Sequence, residues 1–297
     1  MEITIHNSCL SLTVDTHGAQ MMSLRSCSGR EFLWQGDPAY WKGRAPVLFP
    51  FIARLWNSRY TIHGKEYSMN IHGFASASEF AVAEQKSDTL ILELTDNAET
   101  RKQYPFAFCF RMQYQLVENR VEITWNVENR SGETMPFAVG GHPGFRVGME
   151  PGEKFEDYVL EFSQKCYPDR VGFSPEVLVS GQDEAYPLEE NRILPLRHDL
   201  FDEDAVILKN TDREVTLRSR VNGTAVTVSF PDLPYLGFWH WPKTDAPYVC
   251  IEPWSSLPGR QNVIEELSCK SDLIQLHAGK VYKTSWSIAV SEPSETR

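Results

Sequence analysis

No two of the six cysteines (Cys9, Cys27, Cys109, Cys166, Cys250 and Cys269) form a Cys-x-x-Cys pair or a zinc-ribbon spacing. They read as reduced thiols. No apolar run approaches the ~20 residues needed to span a bilayer. The start, Met1-Glu2-Ile3-Thr4-Ile5-His6, is neither basic nor apolar enough to be a secretion leader. The sequons at Asn129 and Asn222 are therefore expected to stay idle, and the expected location is the cytoplasm. Positive charge is scarce: 29 Lys and Arg stand against 40 Asp and Glu, for a net charge of −11. That balance argues against nucleic acid or an anionic membrane as the main partner. No Gly-x-Ser-x-Gly elbow supports serine hydrolase chemistry. No Gly/Ser-rich linker, low-complexity tract or internal repeat divides the chain, so residues 1–297 read as one domain.

Helical signal is also scarce. Asp37-Pro38 is suited to open a short turn of helix, and Asn97 to Tyr104 reads as another, stopped by Pro105. Period-2 alternation fills the space instead. Phe108, Phe110, Met112, Tyr114 and Leu116 alternate with mostly polar residues; after Glu118-Asn119-Arg120, so do Val121, Ile123, Trp125 and Val127. Two such runs joined by a tight turn predict an antiparallel hairpin with one buried face. Val215 and Leu217 repeat the pattern with Val226, Val228 and Phe230 around Asn222-Gly223, and Tyr60 to Tyr67 forms a smaller hairpin about His63-Gly64. Leu10, Leu12 and Val14 mark an early strand; Trp286, Ile288 and Val290 mark the last. The expected class is all-β, one large antiparallel sandwich. Most of the eight tryptophans are expected to pack the core, although such rings also serve as sugar platforms.

Four segments break the alternation. In Phe137-Ala138-Val139-Gly140-Gly141-His142-Pro143-Gly144-Phe145, an apolar strand enters two glycines, then a histidine fixed against proline. Gly-Gly there is expected to supply unusual backbone angles, and Pro143 to hold His142 extended. The run Pro46-Val47-Leu48-Phe49-Pro50-Phe51-Ile52-Ala53-Arg54 is apolar and proline-pinned, and ends in a cation. Ile71-His72-Gly73-Phe74-Ala75 is a histidine-glycine turn, and Tyr248-Val249-Cys250-Ile251-Glu252-Pro253-Trp254 is an apolar strand carrying one carboxylate. Taken singly, His142 and His72 fit a plain turn as well as a site, and Arg54 fits a structural ion pair. Glu252 is harder to dismiss, because an acid in an apolar strand must find partners or shift its pKa. His6, His17, His63, His198 and His277 lie in polar or turn contexts and are given no role; His240, between Trp239 and Trp241, reads as a packed core histidine.

Together these segments resemble the aldose 1-epimerase (galactose mutarotase) family, and within it the LacX-like branch. The matching pieces are Leu48-Phe49-Pro50 with Arg54, His72-Gly73-Phe74-Ala75, Gly141 to Phe145, Asp204-Ala205 before a strand, and Ile251-Glu252-Pro253-Trp254. The resemblance implies the galactose mutarotase-like sandwich, with a cleft across one sheet. It implies Glu252 as catalytic base, His142 as catalytic acid, and His72 as a second histidine near the sugar ring oxygen. Arg54 and an aspartate become hydroxyl-holding groups, with Asp204 preferred to Asp202 because it directly precedes Val206-Ile207-Leu208. Ala53 stands where this branch is expected to carry glycine.

The implied activity is interconversion of the α- and β-anomers of an aldohexose. One group removes the C1 hydroxyl proton while another protonates the ring oxygen, each transfer contributing roughly 10²–10⁴-fold. No cofactor is needed, and attraction between the two charges is expected to keep Glu252 ionised and His142 protonated. Three other readings stay open. His72, His142 and Glu252 could form a facial metal triad. The chain could be a hexose-6-phosphate epimerase, using Lys42, Arg44 or Arg59 to hold the phosphate. It could also be a sugar-binding module without catalysis.

Overall fold

The computed structural model describes residues 1–293. The alternating runs become long strands because their apolar positions fall on one face. Phe108–Val117 and Arg120–Asn129 bury every second residue over most of their length and pair in register, Val121 opposite Leu116 and Trp125 opposite Met112. This hairpin lies within a nine-stranded antiparallel sheet that also holds Val281–Ser291, Ala225–Ser229 and Glu214–Ser219. The turn at His63-Gly64 also forms, with both residues left-handed at φ 50° and 75°. One short pairing, Glu265–Glu266 on Arg59–Ile62, is parallel and departs from the antiparallel rule.

A second sheet of eight strands faces the first. Its centre is Tyr248–Trp254, flanked on one side by Tyr235–Trp239 and Val206–Lys209. On the other side lie Gly140–Gly141 and Gly144–Arg146, with Val47–Leu48 beyond Gly140–Gly141. Aromatic side chains bridge the layers: Phe49 stacks on Phe110 with centroids 4.6 Å apart, and Phe162 meets Phe238 edge-on at 6.4 Å. The resulting apolar core runs from Ile3 to Val290.

Helix is confined to one α-helix among the described residues, Ala98–Gln103, and a few short 3-10 turns. Asn97 caps it by accepting from the amides of Glu99 and Thr100, while the Thr100 hydroxyl accepts from the Asn97 amide. The helix expected at Asp37-Pro38 is only a turn. There the Asp37 side chain accepts from the Ala39 amide, and its carbonyl accepts from Tyr40. The Asx interaction satisfies the local donors without a helical continuation.

Gly140 and Gly141 also depart from expectation. Neither has positive φ. What they supply is space: a Cβ on Gly141 would lie 2.7 Å from the Trp286 ring of the opposite sheet, and one on Gly140 would lie 3.0 Å from Trp254. Gly141→Ala should therefore cost about 1–3 kcal/mol through overpacking. Gly132→Ala, where an added Cβ meets nothing within 4 Å, should stay within about 0.5 kcal/mol of the parent. Urea denaturation midpoints of the two variants check this; equal midpoints would show that the sheets separate without cost at Gly141.

Candidate active site

The segments that break the alternation converge because the backbone ties them together. Phe74 and Ala75 both donate to the Phe49 carbonyl, and Phe49 donates to His72. Gly73 is essential to that approach: its φ is 75°, and a Cβ there would lie 2.2 Å from the Phe49 oxygen. Ala138 donates to Pro50, and His142 donates to Pro46. The strand register then sets the chemistry. Gly140 pairs with Trp254 and Gly144 with Cys250, so His142 stands across from Glu252 between them. Their Nε2 and Oε1 atoms lie 3.3 Å apart, with the Glu252 side chain 1% exposed and that of His142 11%.

Room for the carboxylate comes from the next strand. Gly237 is the register partner of Glu252, and a Cβ there would lie 3.2 Å from that of Glu252 and 2.9 Å from Ile207. A glycine inside a strand marks such a close approach. Leu236-Gly237-Phe238 was thus a legible signal beside the site.

His72 is fixed by a reciprocal contact. Its amide donates to the Ala53 carbonyl, and its Nδ1 accepts from the Ala53 amide at 3.1 Å. The neutral ring therefore carries its proton on Nε2. Ala53 has φ 55° and His72 has φ 64°, so the contact is made by two left-handed residues. That is the physical reason for expecting glycine at 53, and alanine reaches the same conformation at some steric cost. The His72 and His142 rings are nearly perpendicular, 5.6 Å apart.

Arg54, Asp204, His72, His142 and Glu252 all line one cavity of about 310 Å³. Arg54 has no ion pair or side-chain hydrogen bond among the described residues, and Gly259 donates to its carbonyl. Asp204 is left-handed at φ 79°, and its Oδ1 accepts from the Ala205 amide. Asp202 follows a 3-10 turn and does not line this cavity. The phosphate-binding candidates do not line it either. Arg44 donates to the Met22 carbonyl and Gln35, and Arg59 pairs with Glu66.

Tryptophans make up much of the remaining wall, and this was missed in the sequence. Trp41, Trp239, Trp241 and Trp254 all line the cavity. Trp41 lies 5.1 Å from the His142 ring and edge-on to Trp239, and its ring folds over Gly43, where a Cβ would stand 2.5 Å away. His240, by contrast, is wholly buried, between His198 and the Trp241 carbonyl, as a core histidine should be.

Burial controls the protonation of the central pair. It pushes the His142 imidazole down to about 4. It pushes the Glu252 carboxyl well above the usual carboxylate range, and the charge of Asp204 adds to the effect. The Trp254 indole offsets this slightly, without forming a full hydrogen bond. His72 is likewise driven towards its neutral form by burial, then by His142 and Arg54. Both shifts favour a neutral acid beside a neutral base over the expected carboxylate–imidazolium pair, because burial takes each charge out of water. Among the described residues, His142 Nδ1, Glu252 Oε2 and Trp254 Nε1 are also buried without a hydrogen-bond partner. Each such atom costs about 1–3 kcal/mol, so their concentration here marks a place built for a polar ligand.

The metal triad is not assembled as expected, because His72 commits Nδ1 to the backbone. The donor atoms that do cluster, within 4.8 Å, are those of His142, Cys250 and Glu252. Burial keeps the Cys250 thiol protonated, with its pKa well above 9.

Residues 1–271 match the family model described as Aldose 1-epimerase. Protein LacX (chromosomal) of Lactococcus lactis subsp. lactis is 34% identical over 292 residues, 94% of this chain and 97% of that protein. A galactose mutarotase related enzyme from Lactobacillus acidophilus superposes with a TM-score of 0.94 at 36% identity, covering 100% of both chains. A galactose mutarotase-like protein from Lactobacillus casei gives 0.92 at 31%, covering 98% of this chain and 100% of that one. With its ordered segments assembled into one cavity on a galactose mutarotase-like fold, the chain belongs to the aldose 1-epimerase family.

Proposed function

We propose that this protein interconverts the α- and β-anomers of free aldohexoses by acid–base ring opening. The observation that carries the reading is Glu252 facing His142 at 3.3 Å, with His72, Arg54 and Asp204 lining the same cavity. The neutral pair holds one proton. Its transfer from Glu252 to His142 creates base and acid together, without change in total charge. Glu252 then takes the proton from the C1 hydroxyl, and His142 gives its proton to the ring oxygen. The C1–O5 bond breaks as the C1 carbonyl forms. Rotation about C1–C2 and reversal of both transfers close the other anomer. Arg54, Asp204 and His72 Nε2–H hold the sugar hydroxyls and ring oxygen, and the tryptophans exclude water. No cofactor enters these steps.

Exchange NMR on freshly dissolved glucose and galactose anomers should show catalysis that survives chelator treatment. Loss of activity with chelator and return with a divalent ion would transfer the role to the His142, Cys250 and Glu252 donors. Glu252→Gln should lower kcat by at least about 10²-fold while sugar binding and fold persist. Retained binding with no turnover in the parent protein would favour the non-catalytic module.

The pH profile tests the neutral pair. The active form carries one shared proton, so kcat/KM should be bell-shaped. The acidic limb follows a second proton adding to an imidazole pushed down to about 4, so it lies below the ordinary histidine range. The alkaline limb follows loss of the proton held by Glu252, whose pKa is raised by burial. Nitrogen-15 NMR of the free protein near neutral pH should find His142 uncharged. An imidazolium signal there would reject the neutral pair.

The phosphate reading has little support in charge. The chain is at −11, the cavity sets the one arginine beside Asp204 and the Glu252 carboxyl, and Arg44 and Arg59 are engaged elsewhere. Glucose should be turned over at least as well as glucose 6-phosphate, with weak dependence on salt. A strong phosphate preference that collapses at high ionic strength would reverse this.

A further inference from the structure

The turn that follows the Glu252 strand has the cavity on one side and a cluster of charges on the other. Pro258 lines both the cavity and a separate recess of about 280 Å³, where Arg260, Glu265, Lys270 and Asp272 gather. None of those four lines the cavity, so none is placed to touch a sugar there. Both acids are nonetheless committed to this one turn.

Asp272 fixes its start. Asp272 Oδ2 accepts from the Leu257 amide at 2.7 Å and from the Ser256 hydroxyl at 2.8 Å. Lys270 completes the clamp: its Nζ lies 2.6 Å from Asp272 Oδ2 and donates to the Leu257 carbonyl at 3.0 Å. Glu265 fixes the end, accepting from the Arg260 amide at 3.0 Å and from its guanidinium through both oxygens at 2.9 Å. Pro258 and Gly259 are held between these anchors.

Gly259 reaches Arg54. Its amide donates to the Arg54 carbonyl at 2.8 Å, and a Cβ at 259 would stand 3.3 Å from that oxygen. Lys270 also meets the run that leads into Arg54, with Nζ 5.8 Å from the centre of the Phe51 ring. On the side before Arg54, Ala53 is bound to the His72 turn. The guanidinium has no ion pair or hydrogen bond among the described residues, so its place depends on how its backbone is held.

The Lys270 and Asp272 side chains are only 7% and 17% exposed. A buried pair is weak support for stability, because both charges have left water. We propose that Lys270 and Asp272 are positioning residues for Arg54: they lock the turn that carries Gly259, and Gly259 sets where the Arg54 guanidinium meets a sugar hydroxyl. This rests on the hydroxyl-holding role given to Arg54 above. His142 and Glu252 are set separately, by strand pairing ahead of the turn. Loosening the turn therefore weakens sugar binding and spares the chemical step, raising KM with little change in kcat.

The test uses Lys270→Met/Asp272→Asn, which removes both buried charges and keeps an acceptor for the Leu257 amide. Removing one partner alone would strand the other charge and threaten the fold. By exchange NMR on glucose, the double variant should raise KM about tenfold and keep kcat within about threefold of the parent. In an Arg54→Ala background the same two substitutions should change KM by less than about twofold, because the group they position is gone. Ser256→Ala, which removes only the hydroxyl donating to Asp272, should raise KM about threefold, again only while Arg54 is present. It carries the test if the double variant does not fold. A lowered melting temperature with unchanged KM would make the pair purely structural and overturn the inference. So would an equal rise in the Arg54→Ala background, which assigns the effect to Pro258, or a fall in kcat matching the rise in KM. NMR titration of glucose and galactose reads the same comparison as Kd. A parent that binds these sugars without exchanging their anomers would sink the epimerase reading and leave this inference to stand or fall on Kd. Absence of binding to either sugar would sink both.

Discussion

The site depends on a carboxyl and an imidazole held opposite each other where water cannot solvate either as an ion. Placing them is simple: two antiparallel strands in register put residue 142 across from residue 252. Burying them is the harder condition. Water-like surroundings would ionise the glutamate long before the histidine lost its proton, and the pair would settle as charged partners. In a closed layer the penalty on separated charges favours both neutral. Under the proposed mechanism the single proton then passes between them, so the same two groups serve both directions of the exchange.

That closed layer is made by crowding, and glycine positions show where the crowding is greatest. Gly141 admits Trp286 from the opposite sheet, Gly237 admits Glu252, and Gly73 lets the His72 turn press onto the Phe49 backbone. Only the last of these requires a left-handed backbone. The first two show that a glycine in this layer can be required for volume rather than for dihedral freedom. Dispersion and exclusion of water act together there, since each missing Cβ lets an aromatic ring or a carboxyl approach atoms that would otherwise be shielded.

Much of this was legible in the sequence, for identifiable reasons. Period-2 alternation reports one buried face, so the hairpin of Phe108–Val117 and Arg120–Asn129 could be placed. Tyr248–Trp254 is buried on both faces, and its lone Glu252 stood out because nothing else in the run was acidic. The tryptophans were less legible. Trp41 and Trp241 bury one part of the ring and present another to the cavity, and composition does not separate that from core packing. The protonation of the pair could not be read either, because it depends on how completely the loops cover it.

The division of labour between strand and loop follows from these constraints. Proton transfer needs positions held to within a fraction of an ångström, and ladder hydrogen bonds on both sides of His142 and Glu252 supply that rigidity. The groups proposed to recognise the ligand sit on turns: Arg54 after left-handed Ala53, His72 before Gly73, and Asp204 at φ 79°. Ala53 and His72 are further pinned by their reciprocal backbone contact, so this part of the outline is preformed. A site of this kind binds what fits a preformed outline. On the proposed function, selectivity among sugars is set in the loops around residues 53, 72 and 204, above acid–base chemistry held on the sheet.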